Sequence, residues 1–186
     1  VRQNIKFLSL YAFSTENWKR NPKEVQFLMD LFFEKLTSEI AQLNKNNVVI
    51  KIIGDKSKLT TKLKEKINHT EKTTQNNSAI TLNLMINYGS RHEIIEAIKS
   101  LSTKMTKDEI NNLSETQFSE FLYTTSMPDP DVLIRPGKEY RLSNFLLWQS
   151  AYTELFFTDT LWPDFSAAEY INILNQFKER QRRYGS

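Results

Sequence analysis

The sequence contains no cysteine and only 4 glycines among its 186 residues. The glycines stand at positions 54, 89, 137 and 185, and no two of them are close together. This spacing excludes a G-x-G-x-x-G dinucleotide loop and a G-x-x-x-x-G-K-[ST] phosphate loop. Any phosphate bound here must therefore be held mainly by side chains and helix ends. The absence of cysteine excludes disulfide bonds, thiolate nucleophiles and cysteine zinc sites.

Histidine, net charge and long apolar runs are also scarce. The two histidines, His69 and His92, form no H-E-x-x-H motif, which argues against a histidine zinc site. A net charge of +3 is too small to indicate a nucleic-acid partner. No apolar run approaches the ~20 residues of a membrane span, and no signal peptide is recognisable. We therefore expect one globular domain over residues 1–186, in the cytoplasm and at most peripheral to a membrane.

Apolar strand-like runs alternate with segments of helical periodicity along the chain. Strands are predicted at 5–13, 48–53, 80–88, 131–135 and 154–157, and the longer helices at 22–43, 59–73, 91–101, 142–152 and 167–183. Capping boxes are predicted at Thr106, Ser114 and Ser166. This alternation, with strands apolar on both faces, predicts an α/β fold with a central parallel sheet flanked by helices. Ligands of such sheets bind beyond the carboxyl ends of the strands.

Polar and aromatic side chains follow the first predicted strand. Ser14, Asn17, Trp18 and Arg20 lie just before a helix whose N-terminus carries partial positive charge. One interpretation is a site for an anionic substrate with an aromatic wall. The other is an ordinary helix-capping loop with an anchoring tryptophan, and composition alone favours this second interpretation.

Three cations within seven residues follow the fourth predicted strand. Arg135, Lys138 and Arg141 stand next to Ser143. Arginine makes bidentate hydrogen bonds to phosphate oxygens and keeps its charge at any relevant pH. A solvated surface loop is the alternative, but the position after a buried strand favours a diphosphate site.

Two further features leave more than one interpretation open. Glu154 stands between apolar runs, where a carboxylate must be paired or bound to metal; an ion pair with an arginine is favoured locally. The apolar stripe of the helix at 22–43 is typical of a hydrophobic core, but it could also line a tunnel for a lipid chain.

Five long motifs, in a fixed order, resemble those of the cis-prenyltransferase family. They occupy residues 11–18, 87–89 with Arg91, 131–135, 141–149 and 161–165. The resemblance is greatest to the bacterial members that make undecaprenyl-type products. It implies a homodimer with a hydrophobic tunnel that uses Mg2+ to add isopentenyl diphosphate to farnesyl diphosphate. Each addition makes a Z double bond and releases diphosphate, and the long product partitions to the membrane; no nucleic acid is involved.

The resemblance also implies roles for individual residues. Arg135, Arg141 and Ser143 match the clamp for isopentenyl diphosphate. The chain end matches the family's R-x-G tail, in which Arg183 and Gly185 close over the isopentenyl diphosphate site of the neighbouring subunit.

The resemblance implies that the remaining matched residues surround the reacting groups. Asn17, with Ser14 beside it, matches the residue near the proton that isopentenyl diphosphate loses. Trp18 and Arg20 match a wall and a cation over the reacting groups, and Glu154 matches a carboxylate of the Mg2+ and diphosphate region.

The chain departs from the family pattern in two places. The family's Asp-Gly-Asn-Gly-Arg-Trp segment, which supplies the main Mg2+-binding Asp, does not occur in these residues. Either the domain is incomplete at its N-terminus, which we favour because the other site residues are present, or the chain is a catalytically silent subunit that supports a partner. In addition, Pro136-Gly137-Lys138 replaces the family's usual residues after the first clamp arginine, and proline removes a backbone donor.

Overall fold

A computed structural model describes residues 4–180 and divides the chain into two compact units, Val1–Thr125 and Ser126–Ser186. The first unit contains three strands, β1 (Phe7–Ser14), β2 (Val48–Ile53) and β3 (Ile80–Tyr88). They form a parallel sheet in the order β1-β3-β2. The central strand β3 therefore pairs on both sides, and the carboxyl ends of all three strands lie at one edge.

Helices connect the strands of the first unit and follow its last strand. They are α1 (Pro22–Ser38), α2 (Ile40–Lys45), α3 (Thr61–Thr74), α4 (Ser90–Lys104), α5 (Lys107–Asn111) and α6 (Glu115–Ser119), preceded by a 3-10 turn at Thr15–Lys19. The sequence predicts one helix over 22–43, whereas the structure divides it at Glu39. There ψ is −16°, well short of the usual helical value near −42°, which interrupts the helix between α1 and α2.

The core of the first unit lies between the sheet and the helices α1 and α3. Ile50 of β2 and Ile67 of α3 are 1% and 0% exposed. On α1, Val25 and Leu36 belong to this buried cluster, and Phe32 packs against it. Much of the apolar stripe of this helix is therefore core, as the first of its two interpretations predicts.

The second unit has two parallel strands, β4 (Val132–Pro136) and β5 (Glu154–Thr158), and one helix, α7 (Ala167–Glu179). A 3-10 turn at Trp162–Asp164 precedes the helix. The helix predicted at 142–152 is wrong, because this segment consists of turns. Ser143, Asn144 and Leu146 have φ angles of 49°, 64° and 46°, which a right-handed helix cannot contain.

Two of the three predicted capping boxes form in full, at Thr106 and Ser114. At Ser166 only the serine side accepts its hydrogen bond, from the backbone of Glu169 at 3.1 Å. The Glu169 carboxylate instead accepts hydrogen bonds from the hydroxyls of Thr158 and Thr160. This side chain thus fastens the start of α7 to the end of β5.

The predicted α/β architecture, with parallel strands flanked by helices, is confirmed. The five strands are distributed over two sheets, one in each unit. Within residues 4–180, no helix has both the length and the apolar character needed to cross a membrane.

Candidate active site

The segments that follow β1, β2 and β3 meet at the carboxyl edge of the first sheet. Ser14 pairs in register with Tyr88, and Ile53 with Met85. The Tyr11 hydroxyl donates a hydrogen bond of 3.0 Å to the carbonyl of Tyr88, which ties the ends of two strands together. Burial and the charge of Glu16 raise the pKa of Tyr11 to about 12, so it donates at neutral pH.

Three of the predicted site residues come together after β1. The Asn17 Oδ1 atom accepts a hydrogen bond from the Ser14 backbone at 2.8 Å and so shapes the turn. The Trp18 ring meets Phe13 edge-on at 5.2 Å between centroids, and its Nε1 donates to Asn87 Oδ1 at 2.6 Å. The loop is therefore both a capped turn and an anchored aromatic surface. Among residues 4–180, Asn17 Nδ2 has no hydrogen-bond partner.

Arg20, the fourth predicted site residue of this segment, makes its contact with α1. Its Nη1 atom lies 2.8 Å from Glu24 Oε1, one turn along α1, and half of its side chain is exposed. Exposed ion pairs of this kind contribute well under ~1 kcal/mol. Arg20 can therefore leave Glu24 at little cost to bind an anion.

Asn87 and Asp55 belong to the same edge, although the sequence predicts no individual role for either residue. Asn87 is 1% exposed and donates from Nδ2 to the Asp55 carbonyl at 2.7 Å. Asp55 lies 3.6 Å from His92 Nε2 and accepts hydrogen bonds from Ser57. Burial tends to raise the pKa of Asp55, but the Ser57 hydrogen bonds and the charge of His92 outweigh it and lower the pKa. The sequence feature that could have identified Asn87 and Asp55 is their position at the ends of two predicted strands.

Gly54 allows the close approach that brings Asp55 to Asn87. Its φ is +131°, and a Cβ atom there would lie 2.1 Å from the Ile86 carbonyl oxygen. Only glycine fits this backbone without displacement.

Glu93 is a fully buried carboxylate behind the same edge. It accepts hydrogen bonds from the Tyr88 hydroxyl at 2.6 Å and from the Tyr123 backbone at 2.8 Å. Burial and the charges of Asp55, Glu96 and Glu93 raise the pKa of Tyr123 to about 12. By accepting hydrogen bonds from the Tyr88 hydroxyl and the Tyr123 backbone, the buried Glu93 carboxylate holds α4 firmly against the end of β3 and the backbone at Tyr123.

In the second unit, the three predicted clamp residues are neighbours. Arg135 Nη1 donates to Ser143 Oγ at 2.6 Å and to the Arg141 carbonyl at 2.5 Å. The Arg141 guanidinium pairs with Glu139 and is largely exposed. The Arg135 guanidinium, the Ser143 hydroxyl and the Arg141 backbone therefore lie together at the end of β4. Guanidinium groups are well suited to bind phosphate oxygens.

The Pro136-Gly137-Lys138 loop turns its backbone donors toward β5. The N–H groups of Gly137 and Lys138 both donate to the Thr158 carbonyl, at 3.0 and 3.1 Å. These donors are therefore occupied within the protein. The Lys138 side chain is exposed and remains the contribution that this loop can make to an anion.

Glu154 forms an ion pair with Arg180, as the local interpretation of the sequence predicts. The guanidinium carbon of Arg180 also lies 3.9 Å from the centre of the Phe156 ring. Among residues 4–180, no three His, Asp or Glu side chains are grouped so that they could hold a metal ion. Arg183 and Gly185 lie outside the described residues.

An apolar cavity of about 120 Å³ lies in the first unit between α1, α2 and the sheet. Its lining residues are Phe32, Lys35, Leu36, Glu39, Ile40, Leu43, Ile50 and Leu84. The bend at Glu39 places α2 along its wall. The apolar stripe therefore also borders an open space, in addition to its part in the core.

Comparison with known proteins assigns the family. Residues 1–185 match the family described as "Putative undecaprenyl diphosphate synthase". A relative from Buchnera aphidicola subsp. Baizongia pistaciae is 46% identical over 183 residues, which are 97% of this chain and 73% of the relative. It is named ditrans,polycis-undecaprenyl-diphosphate synthase, (2E,6E)-farnesyl-diphosphate specific. The chain belongs to this family.

Solved structures of the family share the fold along the whole chain. A "probable undecaprenyl diphosphate synthase" from Campylobacter jejuni superposes with a TM-score of 0.89 at 40% identity, covering 100% of this chain and 86% of that one. Lavandulyl diphosphate synthase from Lavandula x intermedia, in complex with dimethylallyl diphosphate, gives 0.93 at 35% identity, covering 100% and 81%. The predicted resemblance is confirmed, and the chain is a prenyltransferase of the cis-prenyltransferase family.

Proposed function

We propose that this cis-prenyltransferase adds isopentenyl diphosphate units to farnesyl diphosphate and makes a long, undecaprenyl-type polyprenyl diphosphate. The observation that carries the proposal is the 46% identity to the farnesyl-diphosphate-specific Buchnera synthase along 97% of the chain. In each cycle the allylic C–O bond breaks and diphosphate leaves. A carbon–carbon bond then forms to isopentenyl diphosphate, which loses one proton and becomes the new Z-configured allylic end.

The Arg135, Arg141 and Ser143 patch is the proposed clamp for isopentenyl diphosphate. Arg135 already donates a hydrogen bond to Ser143 Oγ, so the guanidinium and the hydroxyl are held in direct contact. Both groups are accessible to an incoming anion, and the guanidinium cannot lose its charge at neutral pH. Lys138 adds a third cation where the proline has removed a backbone donor.

The residues after β1 are proposed to surround the reacting carbons. The Asn17 carbonyl is occupied by the Ser14 backbone, which leaves the amide N–H groups to face substrate. An amide is not a base at neutral pH, so Asn17 positions the substrate, and a diphosphate oxygen or water takes the proton. Trp18 supplies an apolar wall, and Arg20 supplies positive charge for the leaving group, whose departure such charge accelerates.

The apolar cavity is proposed to take up part of the growing prenyl chain. Each buried methylene group gains about 0.8 kcal/mol on leaving water. The apolar side chains of Phe32, Leu36 and Leu43 in its wall would therefore stabilise a lengthening product.

Mg2+ dependence, a homodimer and partition of the product to a membrane complete the proposal. Mg2+ commonly binds through one or two carboxylates together with substrate phosphates, and Glu154 is the proposed protein contribution. Arg183 and Gly185 are proposed to act at the isopentenyl diphosphate site of a neighbouring subunit. The proposed site of action is the cytoplasm.

The test is incubation of the full-length protein with radiolabelled isopentenyl diphosphate, farnesyl diphosphate and Mg2+, followed by chromatography of the extracted lipids. We expect labelled polyprenyl diphosphates many units longer than farnesyl diphosphate. Reactions without farnesyl diphosphate, or with a chelator, are the controls and should yield none. If the complete reaction yields no elongated lipid, the proposal is wrong and the silent-subunit interpretation gains support.

A further inference from the structure

Asn87 lies where the three strand ends of the first sheet converge, and its amide joins two of the following segments. We propose that Asn87 is a positioning residue that fixes the indole of Trp18 for the reaction. This inference rests on the proposed function, in which Trp18 forms the wall beside the reacting carbons. Asn87 itself is 1% exposed, so it acts through Trp18 in this proposal and not by contact with substrate.

The orientation of the Asn87 amide is determined by its two neighbours. Its oxygen accepts from Trp18 Nε1 at 2.6 Å, and its nitrogen donates to the Asp55 carbonyl at 2.7 Å. The nitrogen also lies 3.4 Å from the Asp55 carboxylate. A flipped amide would place a donor against the indole N–H and an oxygen against the oxygens of Asp55. An indole N–H can only donate, so the flip would break both connections at once.

The backbone that carries this amide is held in place by neighbouring hydrogen bonds. Asn87 lies within the run of buried residues at the end of β3, and its carbonyl accepts a hydrogen bond from the Asp55 backbone at 3.2 Å. Its φ is 49°, a conformation that asparagine and aspartate tolerate better than other non-glycine residues. Site residues mounted on a strand and fixed by neighbouring hydrogen bonds keep their geometry better than residues on a loop.

Trp18, by contrast, needs a fixed support. It stands on a short 3-10 turn, and its partly buried ring packs against the core cluster. The ring meets Phe13 edge-on at 5.2 Å, and Lys58 Nζ lies 6.0 Å from the ring centre. These apolar and cation contacts do not engage the indole N–H, and they allow the ring to tilt. The hydrogen bond from Nε1 to Asn87 fixes the nitrogen edge of the indole, so the exposed part of the ring keeps one orientation.

A double-mutant cycle tests the connection. Asn87→Gly keeps the left-handed backbone and removes the amide, and Trp18→Phe keeps an aromatic ring and removes the indole N–H. For each single variant we expect kcat/KM to fall roughly 3- to 10-fold, the effect of one hydrogen bond. The double variant should be no worse than the more impaired single variant, because both changes remove the same interaction.

The KM for farnesyl diphosphate separates positioning from simple loss of folded protein. Loss of folded protein lowers the measured rate without changing KM, whereas a misplaced wall raises KM. Asn83→Ala is the matched control. Asn83 is another buried asparagine of β3, 2% exposed, whose amide bonds Ser9 and not Trp18. Its effects should be independent of Trp18→Phe, so the two should multiply.

Fluorescence provides a readout that needs no activity. The emission of Trp18 is obtained as the difference between the spectra of the protein and its Trp18→Phe variant. We expect acrylamide to quench this emission more strongly in Asn87→Gly. Asn87→Asp, which keeps the acceptor and the tolerance of positive φ, should restore part of the shielding. If Asn87→Gly does not fold, Asn87→Ala, which also lacks the acceptor for Trp18, takes its place in the cycle. Unchanged Trp18 quenching in the folded variant, or independent effects in the cycle, would overturn the inference. Loss of elongation in every sample, with quenching as expected, would refute the proposed function only.

Discussion

Replacing Arg135 by alanine tests the diphosphate clamp. Arg135 donates to Ser143 Oγ at 2.6 Å and to the Arg141 carbonyl at 2.5 Å, at the exposed end of β4. Because both acceptors are accessible to water, the loss of these bonds should lower the free energy of unfolding by less than about 1 kcal/mol. The clamp should therefore fail without unfolding the protein.

The functional loss is larger, because the guanidinium donates to a charged ligand. Hydrogen bonds to charged groups contribute about 1.5 to 3 kcal/mol, which corresponds to a roughly 10- to 150-fold rise in KM for isopentenyl diphosphate. The KM for farnesyl diphosphate should change much less. Arg135→Lys keeps the charge but loses the bidentate donor geometry of the guanidinium. Its KM for isopentenyl diphosphate should therefore lie between those of the unchanged protein and the alanine variant.

The assay is steady-state elongation with one substrate varied at saturating concentration of the other. Arg141→Ala is the companion variant and should also raise the KM for isopentenyl diphosphate. Lys99→Ala removes an exposed cation of α4, paired with Glu96, and is the charge-matched control without a kinetic effect. If neither Arg135→Ala nor Arg141→Ala changes this KM, the clamp assignment is refuted.

Two further predictions concern the strand-end edge of the first sheet. Gly54→Ala should lower the free energy of unfolding by roughly 2 to 4 kcal/mol in a denaturant titration, because its Cβ atom would meet the Ile86 carbonyl at 2.1 Å; a change near zero would contradict the close approach. Burial opposes ionisation of Asp55, but hydrogen bonds from Ser57 and the charge of His92 lower its pKa below 3.8, so the ionised group stabilises the fold above pH 3.8. The stability difference between the protein and Asp55→Asn should therefore shrink as the pH falls below 3.8, and a constant difference would show that Asp55 titrates normally.

The strands of this protein were predictable, because their apolar runs have a simple signal. The predicted bounds of 48–53 and 80–88 agree with β2 and β3. The helix predicted at 142–152 was wrong because buried apolar residues such as Leu146 also occur in tight turns, where periodicity does not reveal a positive φ. The bend at Glu39 likewise depends on one backbone angle that no composition signal marks.

The site was partly predictable for the same reason that the sheet was. The rule that ligands bind at the carboxyl ends of parallel strands points to the segment of Ser14, Asn17 and Trp18. The family resemblance implies their roles, and the structure brings them together. Asn87 and Asp55 also follow strands, but their importance depends on two hydrogen bonds between segments distant in sequence. Such partners become visible only when the strand order is known.

The central claim is that this chain builds Z-configured prenyl chains, and the direct test is the geometry of the double bonds that it makes. The full-length protein would elongate farnesyl diphosphate with carbon-13-labelled isopentenyl diphosphate, and the extracted product would be examined by nuclear magnetic resonance. We predict that every added unit carries a Z double bond, next to the E bonds of the farnesyl starter. Added units with E double bonds, or the absence of any added unit, would contradict this account.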